Sequence, residues 1–524
     1  MKRSLALLLG VVVACGGSSA SVDGASSGSS GGGASSGGAV TPGDEHAALQ
    51  LKLVDDVTVQ DIAIFQAVRV NVVKAGERVA AEGAPIVAGR RGVIRVYVQP
   101  NDGVSRAVTC VLSVKVGGKQ LEAKKVTKTI SAPSDDAKPA TVFDFDLKPE
   151  EVTADLSYSV SLVADDATPA ASAPATSDAR YPRAGDFEAL GATESSSVVK
   201  VVLVPVQYMA DGSGRLPDVS EDQVEVFRQT MLSLYPVAKV DITVREPFVW
   251  QNAIGGNGSG WDTILNAITR LRSQDRAPAD VYYYGAFAPR TSFGSFCSQG
   301  CVTGLSSLVQ NPADSMMRAS VGVGYTGPRS AETMAHEIGH AHGRPHAPCG
   351  GAQGTDPSWP TGAAYKNATL GTWGFNIIDG TFINPGAGAS QPHDMMSYCD
   401  PTWISDYQFN ALFQRVVAVN GTQAFIAPAP GSAPQPQKSR SYRIAAVDGA
   451  GNLAFDAGPA IQLDREPVGE IRSLRFVGKN AAYLPVASNA HFFPYDHLPG
   501  GTLLVPEPAT SYEAVEFQGK TFKR

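Results

Sequence analysis

The stretch His336-Glu337-Ile338-Gly339-His340-Ala341-His342-Gly343-Arg344-Pro345-His346 decides how this 524-residue chain is read. On an α-helix, residues four apart share one face, so His336 and His340 aim their rings at a common point. Glu337 stands one step round the helix, beside that point. Gly343 can adopt the left-handed backbone that ends a helix, and Pro345 cannot continue a helical ladder. The chain therefore turns, and His346 is free to swing back. Four of the eight histidines fall within these eleven residues. Three imidazoles around an open corner form the donor set of a catalytic zinc site, and Glu337 is placed to work the bound water.

Outward from this stretch the chain alternates strands and helices. Residues 198–206 are a continuous apolar run suited to a buried strand. Residues 220–235 place Val224, Phe227, Met231 and Leu234 at helical spacing behind a Ser220 cap. Further strands are expected at 240–244, 280–287, 304–309 and 320–325, with a helix at 261–271 and the motif helix from about Ser330. A last helix spans 405–417, where Ser405 and Gln408 have the spacing of a capping box. This is an α/β (α+β) layout in front of a helix that carries chemistry. Metal sites of the HExxH type can take a downstream glutamate as third ligand, but no glutamate follows Glu337 until Glu466. His346 is preferred, with Asp356 the remoter choice. His342 lies on another helical face and reads as a packing or surface histidine, while His46, His491 and His497 lie outside this unit.

The eleven residues match every fixed position of HExxHxxGxxH, and the chain thereby resembles the metzincin zinc metallopeptidases. That family carries a methionine turn beneath the zinc ligands. Asp394-Met395-Met396-Ser397-Tyr398 resembles it, with Met396 and Tyr398 at the matching positions and His393 alongside. The resemblance covers roughly 197–418, and its surroundings are similar to bacterial lipoprotein-type members. It implies Zn2+ on His336, His340 and His346, Glu337 as general base, and Tyr398 as a further catalytic group at the oxyanion. The residue after the third histidine is Ala347, which matches none of the astacin, matrixin or adamalysin patterns. An extended peptide substrate is expected to add to the sheet edge at 304–309.

The remaining chain supplies context. Lys2 and Arg3 precede a short apolar stretch, and Val12-Val13-Ala14-Cys15 resembles a lipoprotein lipobox. Residues 1–15 read as a signal peptide and 16–45 as a Ser/Gly-rich linker, so the expected location is the cell envelope or outside it, lipid-anchored through Cys15. Residues 46–195 carry alternating strand patterns, as do 440–524 after a Pro-rich linker at 426–439; each is expected to form a β-sandwich-like domain flanking a catalytic domain at 196–425. In an exported chain Cys297 can pair with Cys301 and Cys349 with Cys399, leaving Cys110 as a buried core thiol. The formal charge of −7 argues against a nucleic-acid partner, and the Arg90-Arg91 and Lys124-Lys125 pairs read as solvated charges. The expected activity is zinc-dependent hydrolysis of extracellular proteins or glycoproteins. The competing class is a surface adhesin or binding lipoprotein with a vestigial protease domain, against which the complete ligand set and Glu337 stand.

Overall fold

The computed structural model describes residues 52–523, apart from 81–82, 165–173, 195–197, 387, 422–438 and 479–482. Cys15, the signal segment, the Ser/Gly-rich linker, His46 and nearly all of the Pro-rich break lie outside the described residues. The chain is multidomain and mostly β-sheet with few helices. Among the described residues no helix is long and apolar enough to cross a membrane.

The first region is two antiparallel sheets face to face. One, five-stranded, is centred on Val57–Phe65 and Gly92–Pro100. The other is built on Arg106–Val116, flanked by Lys124–Ile130 and Ser157–Ala164. Strict alternation in Arg106–Val116 sends Val108, Cys110, Leu112 and Val114 inward, each at most 1% exposed. They share one buried cluster with Ile62, Ile64 and Val96 of the opposite sheet. This is a sandwich.

The second region has a six-stranded sheet whose main path runs Lys239–Val244, Val198–Tyr208, Val281–Phe287, Ala319–Val323, Gly304–Ser306. All pairings are parallel except that of the edge strand Gly304–Ser306. Parallel strands need crossovers, and the helices Glu221–Leu234 and Trp261–Gln274 supply two of them. Ser220 caps the first helix by accepting from the Gln223 N–H at 3.4 Å, and Val224, Phe227, Met231 and Leu234 are buried. The edge strand ends at Ser306, short of the expected 309, because from there the backbone pairs with a distant segment, Ser307 bridging to Tyr495.

The third region is one eight-stranded antiparallel sheet rather than two separate sheets. Leu453 near one end and Val515 and Phe517 near the other share a buried cluster, so the sheet curls around its own core.

Arg90 is not a solvated charge. Its side chain is buried, and the guanidinium donates to the carbonyls of Gln66, Leu232, Ser233 and Val237 at 2.6–3.1 Å. Three of those carbonyls lie at or just past the end of Glu221–Leu234, where backbone acceptors have no helical partner. The reading failed because a paired basic dipeptide says nothing about which carbonyls fold back over it. Arg91 behaves closer to expectation, pairing with Asp146 at 2.8 Å. Replacing Arg90 by Leu leaves these acceptors buried and unpaired, and urea unfolding should show a loss of about 3 kcal/mol or more. A variant within experimental error of the parent would remove Arg90 from the account of how the regions are joined.

Candidate metal centre

The motif helix spans Pro328–Ala341, with Ala331, Met334, Ala335 and Ile338 buried in the core that also holds Phe227 and Met231. That packing leaves His336 and His340 on the opposite side. At Gly343 the backbone is left-handed, φ 82°, and the Gly343 and Arg344 N–H groups close the helix end onto the carbonyls of His340 and Gly339. A Cβ there would lie 2.6 Å from the Val309 carbonyl oxygen, so the turn demands glycine. Beyond it Arg344 is pinned by Gln408 and Asp356, both at 2.9 Å, and Tyr407 donates to the same Asp356 oxygen. Asp356 is thus a partner of Arg344 rather than a ligand. The loop returns, and His346 joins the other two.

His340 Nε2 lies 2.9 Å from His336 Nε2 and 3.2 Å from His346 Nε2. Each ring donates its other nitrogen to a backbone carbonyl: His336 Nδ1 to Met395 at 2.7 Å, His340 Nδ1 to Arg344 at 2.6 Å, and His346 Nδ1 to Gln353 at 2.6 Å. A carbonyl only accepts, so each Nδ1 carries the proton and each Nε2 of a neutral ring shows a bare lone pair. Burial, then neighbouring histidines, pushes His336 and His340 far below their usual protonation range; burial and His497 bring His346 to about 4. Three buried lone pairs therefore converge with no proton between them. A cation resolves that repulsion, and tetrahedral ligands at ~2.0–2.1 Å would stand about 3.3 Å apart. The site fits a metal ion.

The methionine turn lies directly underneath. Met396 is fully buried, and a Cβ on Gly339 would come within 2.6 Å of its sulfur, so this glycine lets helix and turn close together. Buried Asp394 shapes the turn, accepting from the Met396 N–H at 2.8 Å and from the Ser405 N–H and hydroxyl at 2.9 and 2.6 Å. Cys349 and Cys399 form a disulfide that ties the loop after His346 to the segment after the turn, and Cys297 pairs with Cys301. Cys110 is free and buried. His342 stacks on Tyr282 inside the core, a packing role. His393 Nδ1 donates to the Asn367 carbonyl at 2.8 Å and lies 3.8 Å from the Cys349 sulfur, away from the three rings.

His497 overturns its placement outside this unit. It arrives from the third region, and its ring nitrogen lies within 4.8 Å of those of His336, His340 and His346. Its Nε2 is 3.0 Å from Glu337 Oε1 and 3.1 Å from Asp496 Oδ2, while Nδ1 bonds the Tyr398 hydroxyl. Burial opposes protonation of His497, but the carboxylates of Asp496 and Glu337 outweigh it and raise it to about 9. Burial and then Asp496 push Glu337 well above the usual carboxylate range. Glu337 Oε2 is buried without a hydrogen-bond partner, and Asp496 Oδ2, equally buried, has the His497 ring beside it. The signal for His497 is 151 residues beyond His346, where no spacing rule reaches; only the adjacent Asp496-His497 pair in a histidine-poor region marks it.

Glu337 sits under the edge strand, and a Cβ on Gly304 would meet its Oε1 at 2.1 Å. A cavity of about 440 Å³ opens over Arg329, Glu332, His336, Glu337, Tyr398 and His497. Tyr398 is 43% exposed, and burial with the nearby Asp496 and Glu337 raises its hydroxyl above the ordinary range.

No family model matches the chain, and no curated protein matches it. Among solved structures it is similar to a chain assigned as a beta-galactosidase from Bacteroides fragilis, at 9% identity and TM-score 0.14. That likeness covers 45% of this chain and 35% of that one, so the chain spans about a third of that protein. A Paenibacillus sp. cycloisomaltooligosaccharide glucanotransferase is similar at 12% identity and TM-score 0.17, covering 89% of this chain and 72% of that one. Overlaps this slight carry no argument about fold or activity.

Because Asp394 holds the turn whose Met395 carbonyl orients His336, Asp394→Ala should weaken metal binding by about 10–100-fold. Competition with a chromophoric chelator measures it. Unchanged affinity in a folded variant would show that the turn does not orient the ring.

Proposed function

We propose that this chain is a zinc-dependent endopeptidase of the metzincin class, acting on extracellular proteins or glycoproteins and held at the cell envelope by a lipid on Cys15. One observation carries the reading: three neutral imidazoles converge with bare Nε2 atoms, and a buried carboxylate, Glu337, stands beside them. The glycine turn at Gly343 and Met396 beneath Gly339 support the same class. Imidazole donors are borderline in softness, and three of them suit zinc over calcium or magnesium, which prefer oxygen.

His336, His340 and His346 would hold a zinc ion, which would supply Lewis acidity toward a water and the scissile carbonyl. Glu337 takes a proton from the attacking water as its oxygen bonds the carbonyl carbon, and returns a proton to the amine as the C–N bond breaks. Its burial, which raises its proton affinity, suits it to carry that proton between the two steps. Tyr398 faces the same cavity and can donate its hydroxyl to the developing oxyanion.

In Glu337→Ala, zinc should remain at one ion per chain while kcat/KM on a quenched-fluorescent peptide library falls by about 10²–10⁴-fold, the usual contribution of a positioned general base. Turnover at the parent rate by the zinc-loaded variant would defeat the assignment of the base. A parent chain that binds zinc and cleaves no peptide would defeat the activity.

A further inference from the structure

We propose that His497 is a fourth protein ligand to the metal, and that residues 494–498 of the third region occupy the substrate cleft so that the site rests closed. What closure means for activity rests on the peptidase reading above; the ligand assignment does not.

Three independent observations support it. First, the His497 ring centroid lies 5.2, 5.5 and 4.9 Å from those of His336, His340 and His346. The three motif rings stand 4.5–5.4 Å from one another, so His497 keeps the spacing of the set. The Tyr398 hydroxyl engages Nδ1, so Nε2 is the nitrogen that faces the cluster; it lies 3.0 Å from Glu337 Oε1, and binding a metal ion there would release the proton it shares with that carboxylate. Second, the Asp496 side chain is fully buried, with Oδ2 3.3 Å from His340 Nε2 and no hydrogen-bond partner. A carboxylate facing a lone pair in a dry site needs positive charge beside it, which either a protonated His497, 3.1 Å away, or an ion shared by the two would supply.

Third, the segment lies along the sheet edge where an extended peptide would be expected. The Leu308 N–H donates to the Pro494 carbonyl at 2.9 Å and the Asp496 N–H to the Ser306 carbonyl at 3.2 Å. The Ser306 N–H donates to Asp496 Oδ1 at 2.9 Å, and Ser307 bridges antiparallel to Tyr495. These are the main-chain bonds by which a peptide adds to an exposed strand. The segment is anchored from both sides: Tyr495 is buried with Trp261, Ile264 and Leu305, and the Thr502 hydroxyl bonds Asn266 at 2.8 Å. Metal corner and substrate edge are both taken by one turn of the chain's own backbone.

Metal-stripped full-length protein loaded with Co2+ tests this through its visible spectrum, with X-ray absorption counting imidazoles. Four imidazoles are expected in the parent and three in His497→Ala. Acetohydroxamate, which fills an open corner, should shift the spectrum of the variant far more than that of the parent. His497→Gln, which keeps side-chain bulk and a hydrogen-bonding tip, guards against a folding artefact and should behave as His497→Ala does. On zinc, His497→Ala should hydrolyse casein about tenfold faster than the parent, equivalent to ~1.4 kcal/mol of lost closure. Identical spectra and identical hydroxamate responses in parent and variants overturn the ligand. Slower hydrolysis by His497→Ala overturns the closure and makes His497 a group that serves the reaction. If the spectra change as expected but neither protein cuts casein, the ligand stands and the peptidase reading falls.

Discussion

Three imidazole nitrogens with no proton among them are the constraint around which this part of the chain is arranged. Burial keeps each ring neutral, and the carbonyl at the opposite side of the ring keeps its one proton on Nδ1; those carbonyls come from three places: Met395, Arg344 and Gln353. Left to itself such a cluster is repulsive, and the backbone that enforces it must be held by something else. Met396 under Gly339, Asp394 inside the turn, the Arg344–Asp356–Tyr407 group and the Cys349–Cys399 link do that holding. None of these touches the ion position. All of them fix where a ring must point.

The architecture follows from the same need for rigidity. Two crossover helices and a buried parallel sheet present the motif helix with its apolar side fully packed. The N-terminal sandwich then braces the loops behind the turn, where Trp403 donates its indole N–H to the Ala67 carbonyl and Arg69 donates its backbone N–H to Trp373. The β regions are therefore structural neighbours of the site and not distant appendages.

Much of this was legible along the chain, because local rules act over short separations. The 3.6-residue period identified Glu221–Leu234 and placed its cap at Ser220, and the apolar run beginning at Val198 gave a buried strand. His336, His340 and His346 come together as helix geometry and a glycine bend require. What was missed depends on separations no periodicity encodes. Arg90 meets carbonyls more than 140 residues away, and His497 reaches Glu337 across 160. The C-terminal strands could be recognised singly, but not that their eight-stranded sheet curls on itself or that a turn between two of them enters another region's cleft.

The burial of Arg90 reaches beyond stability. A guanidinium sealed among acceptors from two regions acts as a shared keystone, and neither side is finished without the other. Lifting the α/β unit out as a freestanding module would strip the end of the Glu221–Leu234 helix of the guanidinium that caps it and expose those carbonyls to water. Any excision of the α/β unit would therefore have to carry its sandwich along to keep that junction sealed.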